Sequence, residues 1–316
     1  MPSPAPPIVM IFAASDPTGG AGLQADLMTV SSMGCHAVTV VTGLTVQDSA
    51  GVEDFMPIDS DFVDDQARAV LEDMPVAAFK IGVLGSVETV AVVAGIVSDY
   101  PDIPLVLDPV LASGRGDAFA DDEVVAAMRE LLIPQAAIIT PNSLEARRLA
   151  ATPTEGDGDE AGEGLTLEAC AARLIGWGCE FALITGAHEN TSDVVNVLYS
   201  EVEDGAEIVR SDSWERLPES YHGSGCTLAS AIAALLANGL DMPEAVREAQ
   251  EYTWHALSAG FRPGMGQHFP DRFFWAREAQ ENGREAQDKA TDTGEESRQR
   301  RGKASMSEIS RDHPIA

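Results

Sequence analysis

The segment best suited to chemistry is a glycine-rich turn, residues 221–227, which reads Tyr-His-Gly-Ser-Gly-Cys-Thr and runs into the helical pattern 227–238. Gly223 and Gly225 let the backbone approach a ligand closely, and a helix start presents unpaired N–H groups at its positive dipole end. Such a turn can stabilise the negative charge that develops on a transferring phosphoryl group. Taken alone, the same pattern is more often a structural cap with a buried cysteine.

Cys226 stands at this helix start, where we expect the dipole to lower the pKa of its thiol. A thiolate there can accept a proton from an attacking hydroxyl, which makes Cys226 the predicted catalytic base. Cys35, Cys170 and Cys179 show no CxxC pairing and no metal-type spacing with histidine. They are therefore predicted to be reduced core residues.

A second glycine-rich turn lies near the start of the chain, where residues 13–26 read Ala-Ala-Ser-Asp-Pro-Thr-Gly-Gly-Ala-Gly-Leu-Gln-Ala-Asp. Polar residues also follow later apolar runs, in the segments Gly43-Leu-Thr-Val-Gln-Asp48, Lys80-Ile-Gly-Val-Leu84, Leu107-Asp-Pro-Val110 and Thr140-Pro-Asn-Ser-Leu-Glu145. Because ligands bind parallel α/β sheets where the strands end, we expect these segments to meet at one edge.

The elements that must position these segments are short apolar runs alternating with longer helical patterns. The runs predicted as buried strands are 8–13, 36–42, 78–84, 104–107, 136–140 and 181–184. The predicted helices are 22–33, 61–73, 87–98, 121–132, 165–177, 227–238 and 242–258, and a hairpin is predicted from 194–199 and 206–209. This alternation predicts an α/β fold with a mostly parallel sheet covered on both faces.

The composition separates a catalytic body from two polar segments. Residues 1–278 form the predicted catalytic domain, which includes an acidic surface loop at 152–164. Residues 279–316 carry almost no large apolar side chains and are predicted to be a disordered tail.

The charge of the chain is strongly negative, with 20 basic and 51 acidic residues and a net charge of −31. This charge repels nucleic acid and anionic membranes, and no apolar run reaches the ~20 residues that span a bilayer. The proline-rich start lacks the features of a signal peptide, so a cytoplasmic location is expected. An acidic, lysine-poor surface is also typical of proteins dissolved at high salt, so a halophile-like, salt-adapted surface is a further hypothesis.

In their order and spacing, the two glycine-rich turns and the polar segments resemble the signature of the hydroxymethylpyrimidine/phosphomethylpyrimidine kinases of thiamine biosynthesis, members of the ribokinase-like superfamily. The resemblance covers roughly residues 9–270. It implies a ribokinase-like three-layer α/β/α domain that uses ATP and Mg²⁺ and forms a homodimer. The implied reaction is phosphorylation of 4-amino-5-hydroxymethyl-2-methylpyrimidine, and then of its monophosphate to the diphosphate.

The resemblance also implies a pyrimidine site. Gln47 would hydrogen-bond the aminopyrimidine ring, because an amide offers both a donor and an acceptor. Asp26 and the turn 19–22 would line the hydroxymethyl end, and Val110 would pack on the apolar face of the ring. The full implied set is Gln47, Asp26, Gly19, Gly20, Gly22, Val83 and Val110.

By the same resemblance, Asn142 and Glu145 would help hold Mg²⁺ and the nucleotide phosphates, and Asp108 would stand near the metal and the transferring phosphate. The implied catalytic residues are Cys226, Gly223, Gly225 and Asp108.

Ser224 and Thr185 complete the implied nucleotide site, and Thr185 departs from the family, in which many members carry a lysine. Neutralising the phosphates would then fall to Mg²⁺, backbone N–H groups and an arginine such as Arg115 or Arg262.

Simpler roles remain open for several of these residues. The alternative for Asn142 is to cap the helix that follows it. The alternative for Asp16 and Asp26, less favoured than the implied roles, is that they are turn and surface residues. Lys80 lies in an apolar run and is more readily a structural partner of a carboxylate or carbonyl than a catalyst.

Two other functions remain open for the whole chain. Pyridoxal/pyridoxine kinase is the alternative within the same superfamily, and a non-catalytic pyrimidine-binding sensor is the alternative from another class.

Overall fold

The computed structural model describes residues 5–112, 119–152, 162, 164–202 and 205–277. Most of the predicted acidic loop 152–164 and the whole predicted tail 279–316 lie outside the described residues, as does the predicted domain boundary at 278. The chain divides into two units, Met1–Arg272 and Phe273–Ala316. In the second unit the described residues are 273–277, of which 274–277 are helical.

A single sheet of nine strands organises the described part of the first unit. Its strands are β1 (Ile8–Ser15), β2 (His36–Gln47), β3 (Val52–Pro57), β4 (Val76–Ile81), β5 (Leu105–Leu107), β6 (Ile138–Ile139), β7 (Phe181–Ile184), β8 (Asp193–Val202) and β9 (Gly205–Glu215). They lie in the order β3-β2-β1-β4-β5-β6-β7-β8-β9. Neighbouring strands in the run β2-β1-β4-β5-β6-β7 pair in parallel. Strand β3 at one edge of the sheet, and β8 and β9 at the other edge, pair antiparallel.

Helices cover both faces of the sheet. They are α1 (Gly22–Ser32), α2 (Ser60–Leu71), α3 (Val87–Asp99), α4 (Asp122–Ala127), α5 (Ser143–Ala150), α6 (Leu167–Gly176), α7 (Ser224–Ala237) and α8 (Met242–Ser258). Helices α1, α7 and α8 pack together on one face. Helices α2 to α6 share the main hydrophobic core with the other face. The predicted three-layer α/β/α arrangement with a mostly parallel sheet is confirmed.

The largest differences from the predicted elements are at the sheet edge and after α4. Strand β2 continues past Thr42 to Gln47 and pairs with β3, which was not predicted because most of its residues are exposed. The predicted helix 121–132 changes at Met128 from an α-helix to a π-helix, and a 3₁₀ turn that contains Pro134 follows. Pro134 cannot continue an α-helix because it lacks the backbone N–H group.

The described residues also bear on the predictions made for the cysteines and for membrane-spanning segments. Cys35, Cys170 and Cys179 are buried and lie outside any disulfide bond, as predicted. None of the helices in the described residues combines the length and hydropathy that a membrane span requires.

A buried ion cluster joins helices α1 and α7 to strand β4 and to the carboxyl end of β5. Lys80 on β4 is 0% exposed, and its Nζ lies 3.0 Å from Asp26 Oδ2 and 3.3 Å from Asp108 Oδ2. Asp26 Oδ1 also accepts a hydrogen bond from Ser230 Oγ on α7 at 2.8 Å. Lys80 is thus a partner of carboxylates, as predicted, and the alternative of a surface position for Asp26 is wrong.

The neighbouring carboxylates keep Lys80 protonated within this cluster. Burial by itself would lower the pKa of Lys80, but Asp26 and Asp108 outweigh burial and hold the pKa above its ordinary value. Removing the lysine therefore leaves two carboxylates buried without their cation.

Replacement of this lysine is expected to destabilise the fold. Lys80→Met should lower the free energy of unfolding by about 3–5 kcal/mol, because an uncompensated buried charge remains. Urea unfolding followed by circular dichroism measures this change. The matched control is Arg68→Met, whose side chain pairs with Asp64 and Asp99 at the surface and should leave the unfolding midpoint nearly unchanged. Equal midpoints for the two variants would contradict the role of Lys80.

Candidate active site

The predicted site segments meet at the carboxyl edge of the parallel strands. Asp16 follows β1, Gln47 ends β2, Asp108 follows β5, and Asn142 and Thr185 follow β6 and β7. The last two residues form a parallel bridge with each other. The arrangement confirms that these segments converge, since parallel strands bring their carboxyl ends together.

The first glycine-rich turn, residues 16–22, is folded around the carboxylate of Asp16. Asp16 is 1% exposed and accepts hydrogen bonds from the backbone N–H groups of Thr18 and Ala21, each at 2.8 Å. Gly19 and Gly22 have φ angles of 74° and 56°, which side-chain-bearing residues rarely adopt. Burial disfavours the ionised form of Asp16, but hydrogen bonds from His222, Ala21 and Thr18 outweigh it and lower the pKa.

The second glycine-rich turn packs directly on the first. His222 Nε2 lies 2.9 Å from Asp16 Oδ2, and a Cβ atom added to Gly223 would collide with the carbonyl oxygen of Gly20. Gly223 has a φ angle of 86° and precedes α7, which begins at Ser224 instead of the predicted Thr227. The N–H groups of residues 224–226 therefore belong to the first helical turn, where they have no intrahelical acceptor. The two glycine-rich turns are therefore in contact at the carboxyl edge of the sheet.

The pKa prediction for Cys226 is wrong. Although the residue keeps some exposure, the protein packed around its thiol raises the pKa to about 12. The charge of Lys80 opposes the rise, whereas the carboxylates of Asp26 and Asp108 add to it. Desolvation and two nearby anions thus outweigh the start of α7, so the thiol of the ligand-free protein is protonated at neutral pH.

Asn142 and Glu145 form a reciprocal cap at the start of α5. Asn142 Oδ1 accepts from the N–H groups of Leu144 and Glu145, and Glu145 Oε2 accepts from the N–H group of Asn142 at 2.9 Å. The capping alternative for Asn142 is therefore present in the structure. A contact between Asn142 and nucleotide stays a prediction.

Two carboxyl groups at this edge are suited to a divalent cation. Burial, with the charge of Asp108, raises the pKa of Glu145 to about 8. Asp108 is 3% exposed, and its Oδ2 atom, which is paired with Lys80 Nζ at 3.3 Å, accepts no hydrogen bond from any described residue. Buried oxygen atoms with spare lone pairs are the ligands that Mg²⁺ prefers, so the residues fit this metal. No larger group of possible metal ligands occurs within the described residues.

The predicted pyrimidine residues differ in how they are placed. Gln47, Val83 and Val110 are half-buried at the edge of the sheet, whereas Asp26 is fully buried beneath it. The Asp26 carboxylate already binds Lys80 and Ser230. Contact between these residues and substrate stays a prediction.

Of the two arginines proposed to replace the missing lysine, the described one, Arg262, has hydrogen bonds away from the turns. Arg262 donates to the carbonyl oxygens of Met265 and Gly266 within its own exposed loop, and Arg115 lies outside the described residues. The buried arginine beside both glycine-rich turns is Arg272, which was not predicted. A charged residue next to a run of aromatic residues does not by itself indicate burial. The one signal that could have pointed to Arg272 is the presence of an arginine in an otherwise apolar segment.

Comparisons with known proteins match most of this chain. The family described as phosphomethylpyrimidine kinase matches residues 16–271. The hydroxymethylpyrimidine/phosphomethylpyrimidine kinase of Streptomyces coelicolor is 39% identical over 265 residues, which cover 83% of this chain and 92% of that protein.

Two solved structures have the same ribokinase-like fold. Phosphomethylpyrimidine kinase from Clostridium difficile 630 has a TM-score of 0.65 and 30% identity, covering 79% of this chain and 99% of that one. An ADP complex of Bacillus subtilis pyridoxal kinase has a TM-score of 0.70 and 28% identity, covering 85% and 98% of the respective chains. Because the family match spans most of the sequence and the glycine-rich turns lie within it, the chain belongs to the phosphomethylpyrimidine kinase family.

Proposed function

We propose that this phosphotransferase moves the γ-phosphoryl group of ATP to the hydroxymethyl oxygen of 4-amino-5-hydroxymethyl-2-methylpyrimidine, and then phosphorylates the monophosphate. The observation that carries the proposal is the contact between the two glycine-rich turns beside Asp108 and Glu145. The first glycine-rich turn, residues 16–22, is suited to hold the hydroxymethyl group. The second glycine-rich turn presents the start of α7 to the phosphoryl group.

The residues of the chain act mainly by placing and stabilising the reactants. The N–H groups of Ser224, Gly225 and Cys226 stabilise the equatorial oxygens of the transferring group. Mg²⁺, held by Asp108 and Glu145, supplies positive charge to the nucleotide phosphates when bound. The hydroxyl oxygen forms the new bond to phosphorus, the bond to ADP breaks, and the hydroxyl proton passes to the thiolate form of Cys226.

The reaction itself is tested by ADP formation that requires both the pyrimidine and Mg²⁺. Asp108→Asn should lower kcat on the order of 100-fold, because an oxygen ligand and a charge are lost beside the phosphoryl group. Asp102→Asn, at an exposed position, is the matched control and should keep wild-type activity. Pyrimidine binding by the wild-type protein without ADP formation would support the non-catalytic sensor instead.

The role of Cys226 is tested by the dependence of activity on pH. Because kcat/KM reports the free enzyme and the thiol has a pKa of about 12, the thiolate fraction grows about tenfold for each pH unit between about pH 7 and pH 9. Wild-type kcat/KM should rise accordingly, and Cys226→Ser should lose the rise. Cys35→Ser, which replaces a cysteine in the core, should retain it. Nearly full activity and an unchanged pH profile in Cys226→Ser would rule out Cys226 as the base.

A second candidate substrate is pyridoxal. Its support is the likeness to the Bacillus subtilis pyridoxal kinase complex, whose TM-score of 0.70 exceeds the 0.65 of the phosphomethylpyrimidine kinase. The same ADP assay with pyridoxal gives a second specificity constant. We expect the value for the pyrimidine to be the larger.

We also propose that the acidic surface is an adaptation to salt. With a net charge of −31, screening should relieve more repulsion in the folded state than in the extended chain. The thermal unfolding midpoint should rise by roughly 3 °C or more between about 0.1 M and about 2 M potassium chloride. A constant or falling midpoint in salt would contradict the adaptation.

The homodimer and the cytoplasmic location stay proposals that rest on the family resemblance and on the proposed use of ATP. Light scattering on the purified protein measures the mass in solution, to be compared with 33.4 kDa for one chain.

A further inference from the structure

Arg272 is the one described arginine that contacts both glycine-rich segments of the site. Its Nη2 donates to the carbonyl oxygen of Gly20 at 2.6 Å, and its Nη1 lies 3.5 Å from the carbonyl oxygen of Gly19. Its Nε donates to Thr227 Oγ1 in the first turns of α7 at 3.1 Å. A single planar guanidinium therefore spans the turn 16–22 and the start of α7.

The contact with α7 continues to the glycine that precedes the helix. Thr227 Oγ1 accepts from Arg272 and donates to the carbonyl oxygen of Gly223 at 2.8 Å. A Cβ atom added to Gly223 would lie 2.9 Å from Arg272 Nη2. The carbonyl oxygen of Gly223 thus accepts the backbone N–H group of Thr227 at 3.0 Å as well as its hydroxyl group, and the hydroxyl group links this carbonyl to Arg272.

The electrostatic setting of Arg272 makes a purely stabilising role a poor explanation. The side chain is 3% exposed, and its hydrogen-bond acceptors within the described residues are two carbonyl oxygens and a hydroxyl group, none of them a carboxylate. Burial lowers the pKa of Arg272, and negative charge nearby, including that of Asp26 and Asp16, offsets part of this effect; an arginine in a protein remains charged at neutral pH. Burying a cation in this way costs solvation free energy, whereas an apolar side chain of similar size would not.

We propose that Arg272 is the positioning residue that sets the distance between the first glycine-rich turn, which holds the substrate hydroxyl group, and the second glycine-rich turn, which holds the phosphoryl group. It acts through Gly20 and Thr227 and does not itself touch the reacting atoms. This inference rests on the proposed function, because the distance matters only where a hydroxyl group on one turn attacks a phosphoryl group on the other. A displacement near 1 Å between such groups can slow a reaction on the order of 100-fold.

The kinetic test separates positioning from binding. Arg272→Met should lower kcat on the order of 100-fold with the pyrimidine, while KM for the pyrimidine changes by less than about threefold. Arg272→Lys keeps the charge and part of the hydrogen bonding, so it should recover at least about tenfold of that loss. Thr227→Val removes the acceptor of Arg272 Nε together with the relay to Gly223 and leaves the contact between Arg272 and Gly20 in place, so it should lower kcat by about tenfold.

A double-mutant cycle tests whether the two residues act together. If Arg272 works through Thr227, the loss of kcat in Arg272→Lys/Thr227→Val is smaller than the product of the two single losses. The matched control is Tyr252→Phe, which removes a 2.7 Å hydrogen bond to the main-chain carbonyl of Arg272 and leaves the guanidinium contacts in place. Its kcat should stay within about threefold of the wild-type value, even where its unfolding midpoint falls.

The outcomes distinguish this inference from the proposed function. A wild-type protein that makes no ADP with the pyrimidine overturns both. An active wild type whose Arg272→Met variant keeps kcat within about threefold, or whose variants change KM alone, overturns only the role of Arg272. Should Arg272→Met fail to fold, Arg272→Lys and Thr227→Val decide: unchanged kcat in both, or losses that multiply, contradicts positioning.

Discussion

The functional edge of this protein depends on a buried lysine that holds two carboxylates together. Lys80 on β4 pairs with Asp26 on α1 and with Asp108, which follows β5. It therefore links a helix and two neighbouring strands at the edge of the sheet where the candidate site lies. Charges so far from water persist only when they are matched by opposite charges at short distance. The position of Asp108, and with it the proposed metal site, follows from this electrostatic requirement.

The same arrangement explains why the titratable groups around the cluster retain their protons. Glu145 and Cys226 both lie near Asp108, and in both the pKa is raised by burial and by neighbouring negative charge. A site that already contains ionised carboxylates resists further negative charge until a cation or a ligand arrives. Arrival of nucleotide with its metal would therefore change the protonation of the site as well as its contents.

Sequence reasoning succeeded where a local pattern has one structural meaning. The parallel sheet follows from alternating apolar runs, and the convergence of Asp16, Gln47, Asp108 and Asn142 follows from the rule that parallel strands end at one edge. The failures involve properties of the assembled interior. The thiol pKa of Cys226 depends on carboxylates that approach from α1 and β5, and the burial of Arg272 depends on turns far away in sequence. Strand β3 was missed because an exposed edge lacks the apolar signal of a core strand.

The link between Arg272 and Gly20 has a consequence for the synthesis of the chain. The two residues are 252 positions apart, so the first turn of the site leaves the ribosome long before the arginine that anchors it. Contacts of such separation form late because a long segment must first be ordered. The nascent chain can therefore build its sheet while the reaction centre is still incomplete, and the capacity for phosphoryl transfer is acquired only when the end of the domain emerges and docks.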